Sequence, residues 1–222
     1  MAREIKIAGW QKVSLIDYPE KIASVIFIAG CNMCCHYCHN HHILDSCCNQ
    51  IPLREVLDEL RKRKNFLDAV VVSGGEPTVY PFLIPLLRQL RTLDLLIKLD
   101  TNGTRPQVLK KVIELGLVDY VALDIKAPQE QYVAMTGMPI DEVLVSLNYL
   151  KQQKRVPYML RTTLSPRLSL DDMVAMGKKL INGATIWQIQ QCRVAGAYSV
   201  AEVRKIVSKL QQYAVYIVVK GV

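Results

Sequence analysis

Residues 67–103 read LDAVVVSGGEPTVYPFLIPLLRQLRTLDLLIKLDTNG. An apolar run, Leu67–Ser73, stops at a glycine pair. A helix-period segment, Pro81–Leu93, follows, and a second apolar run, Leu95–Asp100, stops just before Asn102-Gly103. Neither run alternates polar with apolar residues, which marks parallel strands buried on both faces. The pattern extends outward in both directions. Ile22–Gly30, Val118–Ile125, Val156–Leu164, Ala184–Gln190 and Ala214–Val219 are β-rich. Leu53–Lys64, Pro106–Leu115, Asp141–Lys154, Ser169–Leu180 and Ser199–Tyr213 carry helical spacing. Ser169 with Asp172 three residues on predicts a capped helix start, and Gly183 lies past that helix's end.

Strand–helix alternation of this kind predicts an α/β fold with right-handed crossovers. Six or seven units are countable in 222 residues, whereas a closed eight-fold barrel takes ~250. The expected architecture is a partial (β/α)6 barrel of the TIM type, with a doubly wound open sheet as the alternative. One domain is expected over 1–222: an N-terminal extension at 1–21, a barrel core at 22–192, and a C-terminal helix and strand at 193–222. In either architecture the chemistry belongs at the C-terminal ends of the strands.

Half the residues are hydrophobic and 22% are charged, a globular balance. MAREIKIAGW has no apolar core of a signal peptide, and no apolar run approaches the ~18 residues of a membrane span. A cytoplasmic location is expected, where thiols stay reduced. The net charge is +8, but its placement argues against a nucleic-acid partner. Arg61–Lys64, Lys151–Arg155 and Lys178–Lys179 fall in last helical turns, while Glu55, Asp141, Asp171, Asp172 and Glu202 fall near helix starts. That polarity complements helix dipoles.

Six of the seven cysteines, Cys31, Cys34, Cys35, Cys38, Cys47 and Cys48, fall within eighteen residues, together with all four histidines. Cys31-Asn-Met-Cys34-Cys35-His-Tyr-Cys38 can be parsed in two ways. Two abutting C-x2-C pairs suit a zinc site of four thiolates, or of three thiolates and a histidine. Alternatively, Cys31, Cys35 and Cys38 form one C-x3-C-x2-C, three thiolates on one tight loop. An iron–sulfur cube normally takes four cysteines, so three would leave one iron open. Spacing alone leaves both parsings standing, and neither Cys34 nor Cys47 and Cys48 fit the triad. Cys192 reads as a core residue.

The other strand ends carry Ser73-Gly74-Gly75-Glu76-Pro77, Asp100-Thr101-Asn102-Gly103, Asp124 with Lys126, and Arg161. Glycines there allow positive φ and close backbone approach. Charges that close apolar strands at one rim read as site residues.

GCNMCCHYCHN at 30–40 is similar to the signature loop of radical S-adenosylmethionine enzymes. The preceding SLIDYPEKIASVIFIAG, with SGGEPT, LDTNG, YVALDIKAP, MTGMP, LRTT and WQIQQ in order, resembles the activating proteins of glycyl-radical enzymes, most of all those of anaerobic ribonucleoside-triphosphate reductase. The resemblance implies that Cys31, Cys35 and Cys38 hold a 4Fe-4S cluster whose open iron chelates S-adenosylmethionine. Tyr37 would cover the cluster near the adenine. Ser73, Gly74, Gly75 and Glu76 would hydrogen-bond the methionyl amino group. Asp100, Thr101, Asn102, Asp124 and Lys126 would surround the methionyl carboxylate and ribose and could admit a monovalent cation, with Arg161 on the same rim. Asp17 would position the partner's glycyl loop.

The implied chemistry is one electron from a flavodoxin or ferredoxin, cleavage of the sulfonium, and a 5′-deoxyadenosyl radical that abstracts hydrogen from a glycine of the large partner. Activation of a pyruvate formate-lyase-type enzyme, radical chemistry on a small molecule, and a non-catalytic zinc module are the alternatives. The chain departs from the family's usual pattern in several places. Glu20 stands where glycine is usual, and Cys34 and His36 replace a basic residue and a proline around the second ligand. Cys192 and Val194 stand where an aromatic and a proline are common.

Overall fold

The computed structural model describes residues 6–38, 40–44, 50–192 and 198–221. Strand β1 (Lys6–Ser14) runs antiparallel to β2 (Ala23–Ile28), and the short β3 (Ile51–Pro52) pairs with the other edge of β1. Helix α1 (Leu53–Arg63) then leads to β4 (Ala69–Gly74), α2 (Leu83–Arg91) to β5 (Leu96–Thr101), and α3 (Pro106–Glu114) to β6 (Tyr120–Asp124). Two helices, α4 (Tyr132–Thr136) and α5 (Asp141–Gln152), precede β7 (Tyr158–Leu164). Helix α6 (Leu170–Met176) leads to β8 (Ala184–Gln191), and α7 (Val200–Leu210) to β9 (Ala214–Lys220).

The sheet runs β3-β1-β2-β4-β5-β6-β7-β8-β9, and every neighbouring pair from β2 to β9 is parallel. From β2 onward spatial order follows chain order without the reversal a doubly wound sheet requires. The fold is a singly wound partial barrel. Residues 6–14 lie in the expected N-terminal extension, yet they add β1 to the sheet. At the far end, Lys220 donates to the Ile16 carbonyl and ties β9 to the loop after β1.

Side-chain alternation sorts the apolar residues of the strands into two cores. Outward residues such as Val70, Val72, Ile97, Leu99 and Leu123 pack against Leu60, Leu86, Leu109 and Leu147 of the helices. Inward residues are smaller: Ala23, Val25, Ala69, Val71 and Ala122 fill the N-terminal part of the barrel with Tyr18, Tyr120 and Met159. Following the same inward rows toward the C-terminal ends of the strands, the side chains turn polar at Ser73, Asp100, Asp124, Arg161 and Gln188. The barrel has an apolar floor and a charged mouth.

Helix ends follow local rules. Ser169 and Ser199 each make a reciprocal capping box, with Asp172 and Glu202. After α6 the helical run ends in a π-turn at Gly177–Ile181. Basic residues close α1 and α5 as expected, away from the charged mouth.

Glu20, in the turn between β1 and β2, has φ +59°. This left-handed conformation costs a non-glycine residue ~1–2 kcal/mol, which accounts for the family's glycine there. Glu20→Gly is expected to raise the unfolding free energy by about 1 kcal/mol in urea titration. A lowered midpoint would contradict this account of the turn.

Candidate functional site

Strand β2 delivers the chain to Gly30, whose N–H donates to the Ile43 carbonyl at 2.9 Å, so the segment 30–43 closes into a loop. Cys31, Cys35 and Cys38 line one cavity together with Met33 and Tyr37. Cys34 is exposed, lies outside that lining, and is held by its backbone N–H to the Thr136 carbonyl at 2.8 Å. His36 also turns away, its Nε2 lying 3.1 Å from Ser165 Oγ. The two positions where the chain departs from the family around its second ligand therefore both point off the site. Among the described residues no three His, Cys, Asp or Glu side chains gather closely enough for a single metal ion. His39, Cys47, Cys48 and Val194 lie outside the described residues. Cys192 is buried in the core as expected.

The loop after β4 is pressed against this cysteine loop. A Cβ on Gly75 would stand 1.7 Å from the Gly30 carbonyl oxygen, and one on Gly74 2.3 Å from the Ile28 nitrogen. Only glycine fits at either position. The approach allows Gly75 N–H to donate to Ile28 O and Glu76 N–H to Gly30 O, both at 2.9 Å. The Glu76 carboxylate is buried. Its Oε1 accepts from the Thr78 N–H at 3.0 Å, the Thr78 hydroxyl at 2.5 Å and the Thr101 hydroxyl at 2.7 Å. Its Oε2 accepts from the Asn102 N–H at 2.6 Å. Glu76 thus lines the cavity but spends its carboxylate on neighbouring loops. What the loop can offer a ligand is mainly its main chain and Ser73.

Asn102 completes the link. Its amide donates to Asn32 Oδ1 at 3.0 Å and to Cys31 Sγ at 3.8 Å, while Asn32 donates to Thr104 Oγ1 at 2.8 Å. Met33 N–H also reaches Cys31 Sγ, at 3.4 Å. Burial pushes the Cys31 thiol up to about 11 despite the Met33 hydrogen bond, and burial raises Cys35 likewise. Thiols so placed become thiolates when a cationic metal centre binds, releasing protons.

Opposite the cysteines, three charged strand ends form a continuous ladder. Lys98 donates to Asp100 Oδ1, Arg161 NH1 donates to Asp100 Oδ2 at 2.8 Å, Arg161 Nε to Asp124 Oδ1 at 2.6 Å, and Lys126 to Asp124 Oδ2 at 3.0 Å. Ser73 Oγ adds a bond to Asp100 Oδ2 at 3.2 Å. Burial opposes ionisation of both aspartates, but Arg161 first, then Lys98 for Asp100 and Lys126 for Asp124, holds each carboxyl below its ordinary range. Burial also lowers the Lys126 ammonium, yet Asp124 outweighs it and keeps the group charged. Tyr37, buried, donates to the Lys126 carbonyl at 3.3 Å and joins this side of the cavity to the cysteine loop.

The structure therefore brings together every residue expected at the site. Asp17 is among them, accepting from Ser14 Oγ at 2.5 Å on the cavity rim. Sequence reasoning missed Asn32 and Asn40, which donates to the Gly74 carbonyl at 3.2 Å. It also missed Gln190 and Thr163 on the lining, and Lys98. The signal for Lys98 was available: a lysine two residues before Asp100, inside an apolar strand buried on both faces.

Three thiols of one loop facing a charged barrel mouth define the class of site, a cofactor-holding rim rather than a closed structural metal centre. Comparison with known proteins agrees. The radical SAM superfamily profile matches residues 25–180. A putative glycyl-radical enzyme activating enzyme of Methanocaldococcus jannaschii is 32% identical over 198 residues, covering 86% of this chain and 82% of its own. The pyruvate formate-lyase 1-activating enzyme of Escherichia coli is 28% identical over 177 residues, covering 75% and 70%. Among solved structures, Streptococcus suis SuiB bound to S-adenosylmethionine superposes with a TM-score of 0.68 at 17% identity, over 86% of this chain and 48% of SuiB. The chain spans about half the length of SuiB, and that likeness speaks to the fold. This chain belongs to the radical SAM superfamily, in the same family as the M. jannaschii protein.

Exposed ion pairs are worth ~0–1 kcal/mol, but breaking a buried one costs ~3–5 kcal/mol. Arg161→Met, which strips one cation from the buried Asp100 and the partly exposed Asp124, is expected to cost up to about 3–5 kcal/mol in denaturant unfolding. The sign with pH follows from the depressed carboxyls. Their contribution is complete above the unfolded carboxyl value of ~3.9 and is lost as pH falls toward the folded values. Unfolding free energy should change little from these groups between about pH 7 and 5 and decline below about pH 4, with the decline blunted in Arg161→Met. A loss under 1 kcal/mol would show that the ladder behaves as a surface ion pair.

Gly75→Ala is expected to destabilise the chain by about 1–3 kcal/mol and to reduce iron uptake on reconstitution. Normal stability and iron content would refute the close approach of the two loops.

Proposed function

We propose that the chain is a radical S-adenosylmethionine activase that generates a glycyl radical on a large partner enzyme. The observation that carries this reading is that Cys31, Cys35 and Cys38, and no other cysteine among the described residues, face the cavity walled on its other side by Asp100, Asp124, Lys126 and Arg161. Three thiolates fit a 4Fe-4S cluster with one open iron, and the polar rim fits the zwitterionic end of S-adenosylmethionine. Cys31, Cys35 and Cys38 would hold the cluster and the rim residues S-adenosylmethionine; with one electron from a flavodoxin or ferredoxin the pair would supply reductive cleavage of the sulfonium C–S bond and hydrogen abstraction from a partner glycine, giving methionine, 5′-deoxyadenosine and a glycyl radical.

The chain's own residues do the positioning. Ser73, Gly74, Gly75 and the main chain that Glu76 fixes offer acceptors to the methionyl amino group. Arg161 and Lys126, which neutralise the aspartates, present their N–H groups toward its carboxylate. Thr101 and Asn102 shape the ribose side, and Tyr37 walls the cavity from water. Asp17, on the rim next to exposed Leu15 and Ile16, is placed to receive the partner's glycyl segment.

For the partner, the order of motifs along the chain favours anaerobic ribonucleoside-triphosphate reductase. The 28% identity to the E. coli pyruvate formate-lyase 1-activating enzyme supports a pyruvate formate-lyase-type partner as the second reading.

Anaerobically reconstituted protein with dithionite and S-adenosylmethionine is expected to form 5′-deoxyadenosine. Cys31→Ala, Cys35→Ala and Cys38→Ala should abolish the product, and Cys34→Ala should retain it. Equal loss in Cys34→Ala would sink the assignment of the triad, and no product from the parent chain would sink the radical reading. Supplying each candidate partner and recording its glycyl-radical resonance separates the two partner readings.

A further inference from the structure

Lys98 has no role in the ligand set expected of this barrel, yet it is among the largest fully buried side chains, at 2% exposure. Desolvating an ammonium costs several kcal/mol. The inward side of β5 at this height faces Val71 on β4 and Tyr120 on β6, so an apolar side chain such as methionine would suit the surroundings. Lys98 does not line the cavity. It sits one inward step below Asp100, which does, and donates to Asp100 Oδ1.

The charges on the ladder show what Lys98 adds. Lys98, Arg161 and Lys126 are three cations on two carboxylates, Asp100 and Asp124, and each of the four carboxylate oxygens accepts from a cationic donor. Without Lys98 the ladder would be neutral and Asp100 Oδ1 would be bare. With it, the ladder is net positive and complete.

The geometry points to Lys98 as a built-in substitute for a monovalent metal ion: it supplies the surplus positive charge beneath the methionyl-carboxylate end of the site and completes a set in which every oxygen of the Asp100–Asp124 pair already faces a cationic donor, which disfavours sodium or potassium there. The cation that the family resemblance admits at these aspartates therefore meets carboxylates whose charge is already more than balanced. Lys98 is a positioning residue, acting on the ligand through Asp100 and Arg161. The inference deepens the proposed function and rests on it for the identity of the ligand.

The test is S-adenosylmethionine binding to the reconstituted protein, measured by calorimetry at equal ionic strength in potassium, sodium or tetramethylammonium chloride. Wild-type affinity should agree within about twofold across the three salts. Lys98→Met should bind at least about tenfold more weakly in tetramethylammonium and recover in potassium or sodium, whereas Lys98→Arg should stay indifferent to salt. A merely structural lysine would weaken binding equally in every salt, and that result would overturn the proposal. So would a wild-type requirement for potassium or sodium, or full affinity of Lys98→Met in tetramethylammonium. Should Lys98→Met not fold, the wild-type salt comparison decides alone.

A second readout needs no S-adenosylmethionine. Sodium-23 relaxation should be unaffected by the wild-type chain and enhanced by Lys98→Met, and enhancement by wild type would overturn the inference. Absence of S-adenosylmethionine binding in all salts would defeat the radical reading, while the sodium measurement would still judge Lys98.

Discussion

Glu76, through its carboxylate and its backbone N–H, joins three segments of the barrel rim. Through Oε1 and Oε2 it gathers Thr78 of its own loop, Thr101 at the end of β5 and Asn102 just after it, while its backbone N–H holds Gly30 at the base of the cysteine loop. A buried carboxylate is tolerable only with such a complement of donors. Each of those donors is consequently fixed in place. Asn102, oriented by Glu76, reaches Asn32 and Cys31, so the position of the first thiol is set from the far side of two neighbouring strands. The glycine pair is the steric condition for all of this, since any Cβ at Gly75 would separate the loops.

Around that clamp the barrel interior divides by height. Small apolar residues narrow its lower part, and, Lys98 apart, the inward rows become charged only where the strands end. The charged ladder tolerates burial because its members satisfy one another: Arg161 uses two of its donors on two different strands, a geometry a lysine could not reproduce. A preorganised array of this kind need not rearrange when an anionic group arrives, which is what positioning a reactive ligand demands. The excess basicity elsewhere lies largely at helix C-termini, where it stabilises the scaffold.

The fold was legible wherever the physics is local. Continuous apolar strands, helix-period segments and the Ser169 cap all reappear at nearly their expected positions, because a parallel strand buried on both faces leaves an unmistakable composition. Strand β1 was not legible, because GWQKVS mixes charge with apolar residues and pairs antiparallel, so it resembles a tail. The cysteine parsing was undecidable from spacing because it depends on which way the loop turns, and that turn is set by the Thr136 carbonyl about a hundred residues away. For Glu76 a sequence shows the carboxylate but not the four donors that occupy it. Lys98 was missed for the converse reason: a strand lysine is read as solvent-facing unless its partner Asp100 is seen on the same inward row.

The proposed function requires that three thiols leave one iron of a cluster open to S-adenosylmethionine. Electron paramagnetic resonance of the dithionite-reduced, anaerobically reconstituted protein tests it most directly. The account predicts a single reduced 4Fe-4S signal whose line shape changes when S-adenosylmethionine is added. A cluster signal indifferent to S-adenosylmethionine, or a colourless protein carrying one zinc per chain, would contradict it.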